Sequence, residues 1–275
     1  MNIRFLNKVP DFKGKRRLAR ILLGKSLGTD SDIMVKGKYG LQYKLPNLLE
    51  NIGFEIMVNG VYEQDTIRFI VNKLPDEGIF LDIGANIGAI VLPVCRLKKN
   101  LKAIAVEASF RVFEYLVANA GLNNTQRLVL RNMAVSDSDN KELNFYSPEG
   151  DYGKGSFSPV YTDVPETVRT ITLDSLVSQE KIIKIDFIKV DVEGYEYDVF
   201  KGGSNVLSHP SAPDILFEFL GWAEAEIPGR KAGDAQRLLI EYGYELHEFA
   251  DNRLFQLKDT LDGRPGMLFA TKNKQ

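Results

Sequence analysis

Between about residues 79 and 219, short runs of apolar and β-branched side chains alternate with helical patterns of roughly 10–15 residues, the pattern of βαβ units in a parallel sheet. The first strand runs from Ile79 to Ile83, turns at Gly84-Ala85-Asn86-Ile87-Gly88 and enters a helix reaching Leu97. A second strand, Ala103 to Glu107, precedes a helix from Ser109, a good N-cap type, to Ala120, with Gly121 as its expected stop. The third strand is expected at Val129 to Asn132. The alternation then breaks: from Leu143 to Thr172, Gly150, Gly153, Gly155, Pro148, Pro159 and Pro165 interrupt any helical period, and a hairpin-like insertion with a loop is expected there. The fourth strand is Phe187 to Asp191 and the fifth Ile215 to Glu218. Ala235, Leu238, Leu239 and Tyr242 follow the spacing of an amphipathic helix stopped at Gly243, and Tyr244 to Phe249 with Met267 to Thr271 form a closing antiparallel pair. The expected fold is α/β and Rossmann-like, with a mostly parallel sheet and a C-terminal antiparallel hairpin.

Residues 1–60 do not share this rhythm. Lys13 to Arg20 has the spacing of a basic amphipathic helix and Tyr39 to Tyr43 reads as a strand, so a basic N-terminal extension or cap (1–60) precedes the main domain (61–275). Charge sharpens that division. Of 35 Lys and Arg, eight fall in residues 1–25 beside a single acid, Asp11, leaving 27 basic against 36 acidic side chains over residues 26–275. The head therefore fits a solvated peripheral helix, a lid or a contact with an anionic membrane surface. With 44% hydrophobic residues in 275, the chain can bury a sizeable core and is not a disordered sequence. One cysteine, Cys95, excludes an intrachain disulfide and a multi-cysteine zinc site and fits a cytoplasmic protein. No stretch is apolar for the ~18–20 residues of a spanning helix, and Arg20 interrupts the only signal-like run.

In an open parallel sheet, ligands sit beyond the carboxyl ends of the strands where the strand order reverses. Asp82, Gly84, Gly88, Glu107, Asp137, Asp191, Glu193 and Glu218 all fall at or just past such ends. The first turn is G-x-x-x-G behind an acid, unlike the G-x-G-x-x-G of dinucleotide sites, and Asp82 would repel a pyrophosphate but suit an ammonium group. Glu107, 23 positions after Gly84, can accept both hydrogen bonds of a ribose diol. A nucleoside with cationic groups and no phosphate matches S-adenosylmethionine (SAM). Binding SAM rather than NAD separates this reading from a nicotinamide oxidoreductase.

The ordered series Leu81-Asp82-Ile83-Gly84-Ala85-Asn86-Ile87-Gly88, Val106-Glu107, Asn132-Met133-Ala134-Val135-Ser136-Asp137, Thr172-Leu173-Asp174 and Ile188-Lys189-Val190-Asp191-Val192-Glu193-Gly194-Tyr195-Glu196 resembles the FkbM-family SAM-dependent methyltransferases over about residues 60–250. The resemblance implies a class I methyltransferase fold and O-methylation of a hydroxyl on a sugar, polysaccharide or related natural product. By the same resemblance, Gly84, Ala85, Asn86 and Gly88 line the methionine and ribose of SAM, with Asp82 near its amino group. Glu107 holds the ribose hydroxyls, Asn132, Met133 and Ala134 border the adenine, and Asp191 lies next to the transferred methyl. Ala108 stands where the family commonly has proline, which changes the start of the following helix. Glu63, after Tyr62, matches an acidic position that closes over the cofactor.

A sugar hydroxyl must lose its proton, and only two histidines, His209 and His247, are present, neither at a carboxyl edge. Asp191, Glu193 and Glu218 are therefore the candidate catalytic carboxylates, with Asp191 taking or orienting the acceptor proton. Lys189 sits mid-strand among apolar residues and needs an acidic partner, as a structural ion pair or to tune the base. The same acids could hold a divalent metal, as in catechol-type methyltransferases. However, the fifth strand is followed by Phe219-Leu220-Gly221-Trp222 rather than an Asp-Asn pair, and no metal is expected. Tyr152, Phe157, Tyr161 and Trp222 offer aromatic faces for a glycan. The competing acceptors are a nitrogen or RNA, the latter disfavoured by the acidic body, and a non-catalytic SAM-binding subunit is the alternative from another class.

Overall fold

The computed structural model describes residues 9, 14–24, 32–148, 152–155, 157, 159, 162–261 and 263–272. A helix α1 (Lys15–Leu23), a hairpin of β1 (Ile33–Lys36) and β2 (Gln42–Leu45), and helices α2 (Asn51–Asn59) and α3 (Gln64–Lys73) precede the sheet. The alternating region follows as β3 (Ile79–Ile83), α4 (Val91–Leu97), β4 (Lys102–Glu107), α5 (Phe110–Leu122) and β5 (Leu128–Asn132). Next come the insertion strands β6 (Ala134–Val135), β7 (Glu142–Phe145) and β8 (Glu166–Ile171), and then α6 (Leu173–Gln179). β9 (Phe187–Val190), α7 (Glu196–Lys201), α8 (Ser204–Ser208), β10 (Asp214–Phe219), α9 (Gly221–Glu226), α10 (Asp234–Glu241), β11 (Glu245–Ala250), β12 (Arg253–Gln256) and β13 (Gly266–Thr271) complete the chain.

Eight strands form one sheet in the order β12-β11-β13-β10-β9-β3-β4-β5. The five from β10 to β5 are mutually parallel, and β13 runs antiparallel between β10 and β11. The chain winds outward from β3 to β5 and then returns to β9 on the other side of β3. The switch point, and with it the expected ligand crevice, lies at the carboxyl ends of β3 and β9. Successive strand residues feed opposite faces. Phe80, Ala103, Ala105 and Phe187 pack with the N-terminal elements, α4 and α5, whereas Leu81, Ile104, Ile188 and Phe217 pack with α6, α7 and α10.

Three local readings are corrected. Tyr39 belongs to a short 3-10 turn, Lys38–Gly40, and the strand begins after it, at Gln42, because Tyr39 at φ 58° and Gly40 at φ 73° break the extended run. α5 passes through Gly121 to Leu122, since Asn123 donates its side-chain amide back to the carbonyl of Asn119 and holds the last turn. β12, which has no alternating apolar signal, extends the C-terminal pair into a three-strand edge.

The N-terminal elements are built into the same core. Val35, Tyr43, Leu45, Phe54 and Ile56 share one apolar cluster with Phe80 and Phe187, so the expected boundary at residue 60 is no break in packing. Asparagine side chains on α5 and at its C-cap complete the edge of β2. Asn119 accepts from the Lys44 amide at 2.6 Å and donates to the Lys44 and Ile87 carbonyls, while Asn123 accepts from the Gln42 amide at 2.9 Å. Asn119 is fully buried, and its side chain ties the cap to the first glycine turn through Ile87. Asn119→Ala leaves buried backbone groups without partners and is expected to cost about 2–3 kcal/mol. The check is a lower denaturant midpoint at unchanged slope.

Candidate active site

The cleft at the switch point begins with a turn that only glycine can make. Gly84 has φ 76°, and a Cβ there would stand 1.8 Å from the Asp191 carbonyl oxygen, so the β3 turn and the β9 loop touch backbone to backbone. The amides of Gly84 and Ala85 both donate to the Val106 carbonyl at 3.0 Å, drawing the turn toward the end of β4. Asn86, itself at φ 51°, then donates its amide to Glu107 Oε2 at 2.9 Å. The other oxygen, Oε1, accepts from the Ser109 amide at 2.9 Å. Glu107 is thus clamped with both oxygens oriented, and burial pushes its carboxyl up to about 7 against those two hydrogen bonds.

Gly84, Ala85, Asn86, Glu107, Ala108, Met133, Ala134 and Asp191 all line the cleft, as do Glu193 and Glu218. Four other expected cofactor positions do not. Asp82 is wholly buried beneath the turn. Gly88 faces inward, where a Cβ would meet Leu92 and Leu116 at 2.9 and 3.0 Å. Asn132 is exposed and supports the site from behind, donating to the carbonyls of Glu107 and Ala108 at 2.9 and 3.0 Å. Glu63 stands at the N-cap position of α3 without a side-chain capping bond, next to Tyr62, which lines the cleft in its place.

Acids crowd the floor around one cation. Lys189 is 4% exposed and its Nζ donates to Asp191 Oδ2 at 3.0 Å and to the Gly84 carbonyl at 3.3 Å. It also lies 3.7 Å from Asp82 Oδ1. Burial opposes the Lys189 charge, but Asp191, Asp82 and Glu63 outweigh it and hold the ammonium above its ordinary range. Burial pushes Asp82 up to about 6, with Lys189 pulling against it. Burial, then the charge on Asp191, carries both Glu193 and Glu218 up to about 8. Asp191, Glu193 and Glu218 each present one carboxylate oxygen within 4.8 Å of the others. Neither histidine joins them: His209 faces Ser211 at 2.8 Å in the approach to β10, and His247 lies beside the Phe269 ring on β11.

Several lining residues carry no sequence signal of their own. Glu50 and Ile52 enter from the N-terminal cap, and Phe145 and Ser147 from the insertion. Glu196, which follows Tyr195 at the start of α7, is buried and accepts from the amides of Val192 and Gly194, holding the Glu193 loop. Tyr152 lines the cleft as a buried side chain, its carbonyl accepting from Asn86 Nδ2 at 2.7 Å. Phe157 also lines the cleft, packed against Tyr195 and Phe145 at 4.4 and 5.0 Å between ring centres, whereas Trp222 stands on the surface of α9 and Tyr161 lies outside the described residues.

Raised carboxyls make the ligand-free protein sensitive to pH in a defined direction. Asp82, Glu107, Glu193, Glu196 and Glu218 hold protons more tightly folded than unfolded. The native state therefore binds more protons than the unfolded chain above the ordinary carboxylate range, and stability falls as pH rises through about 5 to 8. Thermal melts should drop by at least ~3 °C across that window, the shift produced by about 1 kcal/mol in a chain of this size. A flat or rising profile would contradict the crowding.

The residues fit SAM. The clamped Glu107, the bare backbone at Gly84, the apolar wall of Met133 and Ala134 and the acidic floor together suit a phosphate-free nucleoside with cationic groups, and the parallel sheet with its inserted antiparallel β13 is that of a class I SAM-dependent methyltransferase. The family model described as "Methyltransferase FkbM domain" matches residues 82–246, and the chain belongs to this family. It is 32% identical over 145 residues to the hexuronic acid methyltransferase AglP of Haloferax volcanii, a match covering 53% of this chain and 58% of that protein. It is 25% identical over 240 residues to the AMB antimetabolite synthetase AmbE of Pseudomonas aeruginosa, covering 73% of this chain and 11% of that one. The chain therefore spans little more than half the length of the first of these curated relatives and about a tenth of the second. Among solved structures, the METTL16 methyltransferase domain is similar at a TM-score of 0.48 and 14% identity, over 95% of this chain and 80% of that one.

Proposed function

We propose that this protein transfers the methyl group of SAM to a hydroxyl of a sugar, polysaccharide or related natural product. The observation that carries the reading is the meeting, in one cleft, of the clamped Glu107 with the Asp191, Glu193 and Glu218 cluster. The hexuronic acid methyltransferase among its relatives supports a sugar acceptor. Glu107 would hold the ribose hydroxyls, Gly84, Ala85 and Asn86 the methionine and ribose, and Met133 and Ala134 the adenine. Bound SAM supplies an electrophilic methyl carbon on its sulfonium.

The protein's part is alignment and proton removal. Holding acceptor and methyl in line can account for ~7–11 kcal/mol of a barrier in favourable intramolecular models. Asp191, the acid paired with Lys189, takes the acceptor proton. Glu193 and Glu218 orient the neighbouring hydroxyls. Because Lys189 already supplies a cation against Asp191, methyl transfer runs without a divalent metal, and turnover in a chelator should equal that without it. The deciding experiment incubates the protein with methyl-labelled SAM and a panel of nucleotide sugars, hexuronic acid oligosaccharides, polyketide alcohols and RNA, then locates the label by mass spectrometry. Label on a hydroxyl oxygen is expected; label only on nitrogen or RNA, or SAM binding without transfer to any of them, would overturn the reading.

The basic head has its own proposed role at an anionic bilayer. In α1, Arg16 pairs with Glu55 and Arg20 lies over the Phe54 ring, while Arg17, Leu18 and Ile21 face outward, Ile21 at 68% exposure. Arginines beside exposed apolar side chains suit the surface of anionic lipids. Among the described residues no helix is long and apolar enough to cross a membrane. Co-sedimentation with phosphatidylglycerol vesicles, lost in 0.5 M salt and absent with phosphatidylcholine, is expected; equal recovery with both lipids would count against it. A cytoplasmic location fits the single cysteine.

A further inference from the structure

We infer that Lys189 is a positioning residue of the methyl-transfer site, holding the Asp191 carboxylate in its working place. This inference rests on the reading of Asp191 as the group beside the reacting centre. Strand register brings the lysine there. Lys189 of β9 is the direct partner of Asp82 on β3, and its neighbours Ile188 and Val190 point to the opposite face of the sheet, so its stem lies on the capped face. The ammonium then reaches three oxygens on two segments, the β9 end and the β3 turn: Asp191 Oδ2 at 3.0 Å, the Gly84 carbonyl at 3.3 Å and Asp82 Oδ1 at 3.7 Å.

Asp82 behaves as an anchor and not as a contact. Neither of its oxygens has a hydrogen-bond partner among the described residues, and it is closed off from the cleft. Its charge draws the ammonium down to the sheet, while the Gly84 carbonyl fixes it sideways. Lys189 and both of its hydrogen-bond partners, Gly84 and Asp191, line the cleft, and of the two partners Asp191 is the ionisable side chain, about one-third exposed. Glu63, Glu193 and Glu218 are also gathered round, and without Lys189 the Asp191 carboxylate would be left to these acids and drawn across toward the carboxyl of Glu218, its other side-chain hydrogen-bond partner.

Removing the ammonium makes the site more negative, which favours a cationic cofactor. Lys189→Met should therefore keep the calorimetric Kd for SAM at or below the wild-type value while turnover of the acceptor labelled in the panel falls 30-fold or more. A crystal structure of Lys189→Met with SAM should show the Asp191 carboxylate moved by more than ~1 Å from its wild-type place. A purely structural lysine predicts the reverse: SAM binding weakened more than tenfold along with turnover, or Asp191 unmoved. If Lys189→Met does not fold, the Asp82→Asn/Lys189→Met double variant removes one buried charge of each sign and is compared with Asp82→Asn alone. A folded double variant with turnover still 30-fold down supports the inference. Turnover equal to Asp82→Asn alone, or loss of fold in the double variant too, overturns it. Asp191→Asn at wild-type turnover would remove both the reading of Asp191 and this inference. An inactive Asp191→Asn beside a fully active Lys189→Met would remove this inference alone.

Discussion

Gly84→Ala should abolish measurable SAM binding and lower stability by about 3 kcal/mol or more. Two independent costs act at one atom. The residue sits at φ 76°, a conformation that costs an L-residue roughly 1–2 kcal/mol. The added methyl would also stand 1.8 Å from the Asp191 carbonyl oxygen and 2.8 Å from its carbon. Both are backbone atoms, so no rotamer change relieves the overlap, and the β3 turn and β9 loop must separate. That separation pulls Asp191 and the Gly84 carbonyl away from Lys189 and loosens the Gly84 and Ala85 amides from Val106. Calorimetric titration with SAM and a denaturation curve measure the two effects. Wild-type affinity in Gly84→Ala would mean that the close approach of these two loops is not part of the cofactor site.

Asp191→Asn is expected to reduce turnover by about 10²–10⁴, the usual contribution of a positioned general base, while SAM affinity changes by less than tenfold. The amide keeps the shape of the carboxylate but not its proton affinity. Lys189 keeps Asp82 and the Gly84 carbonyl, so the fold should survive. Since each factor of ten corresponds to about 1.4 kcal/mol of barrier, the loss amounts to about 3–5 kcal/mol in the transition state with little in the ground state. Full turnover of Asp191→Asn on a labelled acceptor would rule out its role as base and leave the proton to Glu193 or Glu218. In that case activity would rise through pH 8 as those acids ionise.

Both predictions concern residues whose importance is visible in the sequence but whose reason is not. The turn Gly84 to Gly88 follows a β-branched run and opens a helical pattern, so a tight strand-to-helix connection at a sheet edge can be read directly. That Gly84 must be glycine because of Asp191, 107 positions later, cannot. Asp82 illustrates the opposite case. A carboxylate ahead of the glycines reads as a ligand for the amino group of the cofactor, whereas the fold closes it under the turn against Lys189. Asn132 likewise stands at a strand end and reads as a cofactor contact, yet its amide props the Glu107-Ala108 backbone from outside the cleft.

Local periodicity decided the parallel sheet, the order of its strands along the chain, the C-terminal antiparallel pair and the cluster of acids at the strand ends, because those features depend on burial of alternate residues and on short-range turn chemistry. Tertiary structure alone decided which acids share the cleft, that Lys189 faces Asp82, and that residues 33–60 belong to the core through Asn119 and Asn123. These depend on strand register and on contacts between segments far apart in the chain. No window of sequence contains such contacts, and the pairing of partners is set only when the whole sheet and its cap bury their faces together.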